Sequence, residues 1–242
     1  MLSDNKTNVS SGNITEGIKV ENAKEKVIEF ILQNLQEFRD NFLYKKIENG
    51  LTQELVYLLD NKEYKINNII RIGISKEHME NTNKGNSPQD DIAIRAKNGI
   101  FIKGIYYADN EPFIVFEAKR LDANIPNYDD RKKEYVVGRI KSGKYLNSGG
   151  IERFKKEIHG KKLNHVGMIG YMQTDTFEIW LERINSYIDE EIVSASSKEL
   201  TWEQKDKLVI DKTNKIYQTF KSEHKCISNK NLNIYHIWMN LI

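Results

Sequence analysis

Apolar positions along this chain recur with two periods, and the period assigns each element. Over residues 24–40, Val27, Ile28, Ile31, Leu35 and Phe38 fall on one helical face. Leu51, Leu55, Leu58 and Leu59 do the same over 51–60, after a break at Gly50. Residues 65–75 predict a first strand. Residues 91–96, where Ile92 and Ile94 alternate with Ala93, predict a second, 112–119 a third and 165–172 a fourth. Residues 99–107 fit either a continued strand or a hairpin. Helical spacing returns over 129–141, 150–158 and 174–188. A long helix is predicted over 201–221, opened by the capping-box spacing of Thr201 and Gln204. Residues 233–241 predict a final strand. The sum is an α/β chain with a central mixed sheet flanked by helices, an extra helix at its N-terminal side and further helices at its C-terminal side.

The third strand carries the candidate chemistry. Phe113 to Phe116 hold no polar group, as in a strand buried on both faces, and the run then ends in Glu117-Ala118-Lys119. Side chains alternate along a strand, so Glu117 and Lys119 share a face with Phe113 and Val115. Charges at the end of such a strand are costly unless paired or bound to a metal. Asp91 lies where the polar turn after Pro88 becomes the second strand, with Asp90 beside it as a competing ligand. Asp91 is preferred because Ile-Ala-Ile follows at once. Glu54 borders the apolar stripe of its helix and leans over the core edge.

Glu54 on the first core helix, Asp91 on the second strand and Glu117-Ala118-Lys119 on the third together resemble the PD-(D/E)xK nuclease superfamily, the restriction-endonuclease-like fold. The resemblance spans residues 45–182. It departs from the pattern in one place, since Pro88 does not directly precede the aspartate. It implies Mg2+, with Mn2+ as a substitute, held by Asp91, Glu117 and the Ala118 carbonyl, with Glu54 joining directly or through water. Asp91, Glu117, Lys119 and Glu54 would be the catalytic set. Lys119 would orient the attacking water, with a pKa lowered by the metal's charge. The implied substrate is DNA, in a bacterial restriction or anti-phage setting, and the small size suggests a homodimer or a partner subunit of a defence complex. The alternatives are a non-catalytic nucleic-acid- or partner-binding module and an RNA-directed nuclease.

Composition narrows the rest. A chain of 242 residues with 39% hydrophobic and 30% charged residues can bury a core without staples, which predicts one domain over 21–242. Within it the core covers 45–182 and a helical extension 183–242, while 1–20 read as a flexible tail. No apolar run approaches the ~18 residues of a membrane span, and the first residues lack a secretory apolar segment. Cys226 stands alone, so neither an internal disulfide nor a cysteine zinc site is available and a cytoplasmic setting is expected. The net charge of +2 hides an uneven spread: residues 131–162 hold eleven Lys or Arg against three acids. Lys141, Lys144, Tyr145, Arg153 and Lys156 in that segment are candidate nucleic-acid contacts. Gly138 to Lys144 matches the spacing of a phosphate-binding loop, but Tyr145 stands where the magnesium-binding hydroxyl belongs, which argues against nucleotide binding. His159 and His165 read as surface or packing residues, and Trp180, Trp202 and Trp238 as core or interface.

Overall fold

The apolar runs condense into one large sheet with helices packed on it. A computed structural model describes residues 22–42, 47–68, 70–79, 89–109, 111–125, 128–194 and 200–242. The expected tail at 1–20 lies outside the described residues, as does most of the polar loop before Asp90. Helix α1 (Ala23–Phe42) completely buries Ala23, Val27, Ile31, Leu35 and Phe38, a stripe three or four residues apart. Helix α2 (Glu48–Asn61) buries Leu51, Leu55 and Leu59. Then follow β1 (Lys65–Ile66), β2 (Ile70–Met79), β3 (Gln89–Ala96), a small hairpin of β4 (Ile100–Ile102) and β5 (Ile105–Tyr107), and β6 (Pro112–Leu121). A one-turn helix α3 (Tyr128–Arg131) leads to a second hairpin, β7 (Arg139–Lys141) and β8 (Lys144–Leu146). Short helix α4 (Gly150–Lys155), strand β9 (His165–Met172) and helix α5 (Phe177–Val193) come next. Thr176 caps α5 by accepting the Ile179 N–H. The chain closes with a 3-10 turn (Gln204–Asp206), β10 (Val209–Thr213), β11 (Tyr217–Lys225) and β12 (Asn231–Asn240).

Eight strands form the sheet in the order β1-β2-β3-β6-β9-β12-β11-β10. The pairs β6–β9 and β9–β12 are parallel and the rest antiparallel, so the sheet is mixed with a parallel centre. The apolar middle of β6 is buried on both sides, as its unbroken hydrophobic run requires. Helices α1 and α2 cover one face. There Tyr171 donates to Thr52 Oγ1 (3.2 Å) and its ring packs near Phe38. On the other face lie Val115, Glu117 and Trp238, with Gly160 set where a Cβ would meet both Val115 and Phe154 of α4. Trp180, Trp202 and Trp238 are all core residues, as expected.

Glycines let the central strands approach their neighbours. A Cβ on Gly167 of β9 would stand 2.0 Å from Phe116 Cδ1, and one on Gly170 2.5 Å from Trp238 Cδ1. Gly167→Ala is therefore expected to destabilise the fold by about 1–3 kcal/mol, read as a lower urea midpoint. An unchanged midpoint would mean that Phe116 gives way without cost, against the packing seen here.

One expected helix is absent and another is cut short, and both differences have a local cause. The stretch 201–221 is not a long helix but the 3-10 turn followed by β10 and the start of β11. Val209, Ile210, Thr213 and Thr219 are β-branched, and Asn214 turns the chain by accepting from Ile216 N (2.8 Å) and Tyr217 N (2.9 Å). The capping box sits two residues beyond the expected one, between Glu203 and Asp206. After α5 the C-terminal part is therefore a sheet extension, not helical. Over 129–141 only α3 is helical, because Val136-Val137-Gly138 enters the β7–β8 hairpin. Among the described residues no helix is long and apolar enough to cross a membrane.

Candidate functional site

Strand β6 delivers Glu117 and Lys119 to its C-terminal rim, beside the parallel neighbour β9, the end of an α/β sheet where ligands commonly bind. Glu117 is fully buried. Its Oε1 accepts from Lys119 Nζ at 3.2 Å and from Arg153 Nη1 of α4. Its Oε2 lies 3.2 Å from His159 Nδ1, which is also 3.2 Å from Asp90 Oδ1. These contacts are close enough for ion pairing but poorly directed, so Glu117 Oε2, Asp90 Oδ1 and His159 Nδ1 are buried without an aligned hydrogen bond. Asp91, on the adjoining β3, turns its Oδ2 onto the backbone N–H of Ala118 (2.8 Å).

The helix contributes a different acid from the one the sequence suggested. Glu48, in the first turn of α2, accepts the Arg120 N–H (3.0 Å) through one oxygen and holds the other 3.9 Å from Lys119 Nζ. Glu54 is six residues further on, hence about 9 Å along the axis and roughly 120° round it, and cannot share that position. Glu48 is the acid of α2 that meets Lys119.

The charges act on one another strongly. Burial pushes Asp91 up, and the neighbouring Glu117 carboxylate adds to it, to about 6. Burial would raise Glu117 too, but Lys119, His159 and Arg153 outweigh it and hold it at about 2. Burial would lower His159, yet Asp90 and Glu117 bring it up to about 9. Lys119 is raised, not lowered: burial opposes its charge, but Glu117, Glu48 and Asp91 together prevail. The expected lowering counted a metal's charge, and the protein's own groups act in the opposite direction.

The basic segment is mostly engaged internally. Lys155 is fully buried on Asp206 (2.7 Å), Lys133 pairs with Glu190 (2.6 Å) and Lys156 with Glu152 (2.8 Å). Of the five candidate nucleic-acid contacts, Arg153 turns inward to Glu117. Tyr145 donates to Glu152 Oε2 (2.6 Å), with Lys156 Nζ 5.1 Å over its ring. Lys141 and Lys144 are exposed on the β7–β8 hairpin. The phosphate-loop spacing of 138–144 is this hairpin, with no helix directly after it. A small cleft adjoins the site, lined by Glu48, Lys119, Arg120, Tyr128, Arg131 and Lys132 among others.

His159 was read as a surface or packing residue and is instead buried between Asp90 and Glu117. No ligand spacing to another histidine marked it. His165, half-buried at the start of β9, stays outside the cluster. A second polar cluster has the order Ser–His–Asp. Ser222 Oγ lies 2.6 Å from His224 Nε2, and His224 Nδ1 meets Asp206 Oδ1. All three are at most 4% exposed, and Ser222 also lies 2.7 Å from His236 Nε2. Burial this complete closes the serine to a substrate, and the cluster acts as a brace within the core.

Donor chemistry decides whether a metal suits the rim. Among the described residues no group of three or more His, Cys, Asp or Glu is arranged to hold one. Magnesium, however, commonly takes one or two carboxylates and completes its shell with waters. Asp91 and Glu117 offer hard oxygens, repel one another, and leave Glu117 Oε2 without an aligned donor. That pair fits a hard cation. Compared with protein-family models, curated proteins and solved structures, the chain gives no significant match.

Proposed function

We propose that this protein is a metal-dependent nuclease that hydrolyses phosphodiester bonds in DNA. The observation that supports it is the meeting of Asp91, Glu117 and Lys119 at the rim of β6, two mutually repelling carboxylates beside an ammonium. Asp91, Glu117 and the Ala118 carbonyl would hold Mg2+, or Mn2+ in its place. Such an ion, when bound, polarises a phosphate and lowers the pKa of a coordinated water. Lys119 stands next to Glu117, restrained by Glu48, where it can orient the attacking water and offset charge growing on the phosphate. Among the described residues, Arg153 is the one cation at Glu117 whose side chain is more than a quarter exposed, and so it can exchange the carboxylate for a phosphate oxygen. On the family resemblance alone, we place the protein in bacterial restriction or anti-phage defence, as a homodimer or as the nuclease part of a complex.

The test is supercoiled plasmid with Mg2+, beside Lys119→Ala and Asp91→Ala. The wild type is expected to relax or linearise the plasmid, EDTA to stop it, and each variant to be slower by about 100-fold or more. Equal DNA loss in all three proteins would overturn the assignment. A second reading, a non-catalytic binding module, is favoured by the ion pairs that already neutralise Glu117. It predicts no cleavage by any of the three. RNA in the same assay separates an RNA-directed nuclease.

A further inference from the structure

The β7–β8 hairpin is a short ribbon built unlike the rest of the surface. Its turn, Ser142-Gly143, has both residues at positive φ (51° and 75°), the conformation of a tight two-residue hairpin. Cross-strand partners share a face, so the register puts Lys141 directly opposite Lys144, and Ile140 opposite Tyr145 on the other face. Like charges facing each other across a ladder are destabilising. Neither lysine has an ion-pair partner among the described residues, although most cations of the same segment do. Ile140 is 68% exposed and Tyr145 45%. A ribbon that sets two facing lysines on one side and an exposed branched side chain on the other is unfavourable alone and suited to a polyanion.

The ribbon is also fixed to the site. Glu152 of α4, only 4% exposed, accepts from Gly138 N (2.7 Å) at the base of β7 and from Tyr145 Oη (2.6 Å) on β8. The next residue, Arg153, reaches Glu117. One short helix thus joins the ribbon's base to the acidic rim.

We propose that the β7–β8 ribbon enters a groove of duplex DNA, with Lys141 and Lys144 on phosphates and Ile140 against base edges. This rests on the nuclease reading and specifies its substrate as double-stranded. The major groove of B-DNA admits a two-stranded ribbon, and exposed isoleucines serve as apolar contacts to bases. The experiment is fluorescence anisotropy of a labelled 20-base-pair duplex, and of one of its strands alone, with Ca2+ in place of Mg2+ to hold off cleavage. The Lys141→Ala/Lys144→Ala protein is expected to bind the duplex about ten-fold or more weakly, with a salt slope smaller by about 2 (~0.9 per phosphate contact). Ile140→Ser is expected to weaken duplex binding and leave the slope unchanged. Circular dichroism melts check that both variants fold. Unchanged affinity and slope overturn the ribbon proposal while plasmid cleavage by the wild type leaves the nuclease reading standing. An equal loss on single strands overturns the duplex assignment. A wild type that binds no DNA and cleaves none sinks both.

Discussion

Asp91→Asn is expected to make the metal-free protein more stable and less active at once. The Asp91 carboxyl is half-buried and faces Glu117, which together carry its pKa from 3.8 to about 6. A carboxyl whose folded pKa is raised penalises the fold above that pKa and not below its unfolded value. The penalty therefore builds between pH 3.8 and about 6 and is complete at neutral pH. Roughly two pKa units correspond to at most about 3 kcal/mol, and residual solvent screening reduces this. Asparagine removes the charge and keeps an oxygen for the Ala118 N–H. In EDTA at pH 7.5 the variant should melt several degrees higher, at about 2–4 °C per kcal/mol for a chain of this size. At pH 4 the difference should nearly vanish. Added Mg2+ should stabilise the wild type and leave the variant unmoved. A lower melting temperature for Asp91→Asn in EDTA would contradict the electrostatics described for the rim.

Asp206→Ala is expected to cost the fold about 3–5 kcal/mol. Asp206 is 1% exposed and serves two cations or potential cations, Lys155 Nζ at 2.7 Å and His224 Nδ1. Lys155 is itself fully buried, 4.2 Å over the Trp202 ring, and donates to the Thr201 carbonyl (2.8 Å). From His224 the contacts continue through Ser222 and His236 to Tyr135 Oη, which also accepts from Trp238 Nε1 (2.9 Å). Removing the carboxylate strands an ammonium in the core, and that desolvation dominates the loss. Adding Lys155→Met should restore part of the stability, because the orphaned charge leaves with it. Urea unfolding of the single and double variants checks both statements. A loss below about 1 kcal/mol for Asp206→Ala would show that water reaches Lys155 after all.

The sequence made β6 and its charged end plain, because an apolar run closing on Glu-Ala-Lys has few other readings. The stripes of α1 and α2 and the strand β9 were equally readable from period alone. Glu48 was not, and the reason is local. The residue before it, Ile47, caps α2 without any side-chain hydrogen bond, so no Ser, Thr, Asp or Asn announced that the helix starts there. The acid was sought about 1.7 turns too late. The contacts of His159 and Arg153 with Glu117 were hidden for another reason: the two side chains arrive from α4 and the turn after it, through tertiary packing that sequence spacing does not encode. In 201–221, helix-forming Lys and Gln masked the β-branched Val209, Ile210, Thr213 and Thr219; Thr219, buried where β11 pairs with β12, ties the stretch to the sheet.

The place of β12 has a consequence for how the protein is made. Its parallel partner β9 ends at Met172, yet β12 begins only at Asn231, so nearly sixty residues must leave the ribosome before that pairing can close. Until then a growing chain carries His165–Met172 with one side of an apolar strand unsatisfied, an open template for other copies. Translation halted before Asn231 should yield a product that clumps and is cleared by proteases, which makes the last strand a checkpoint on synthesis.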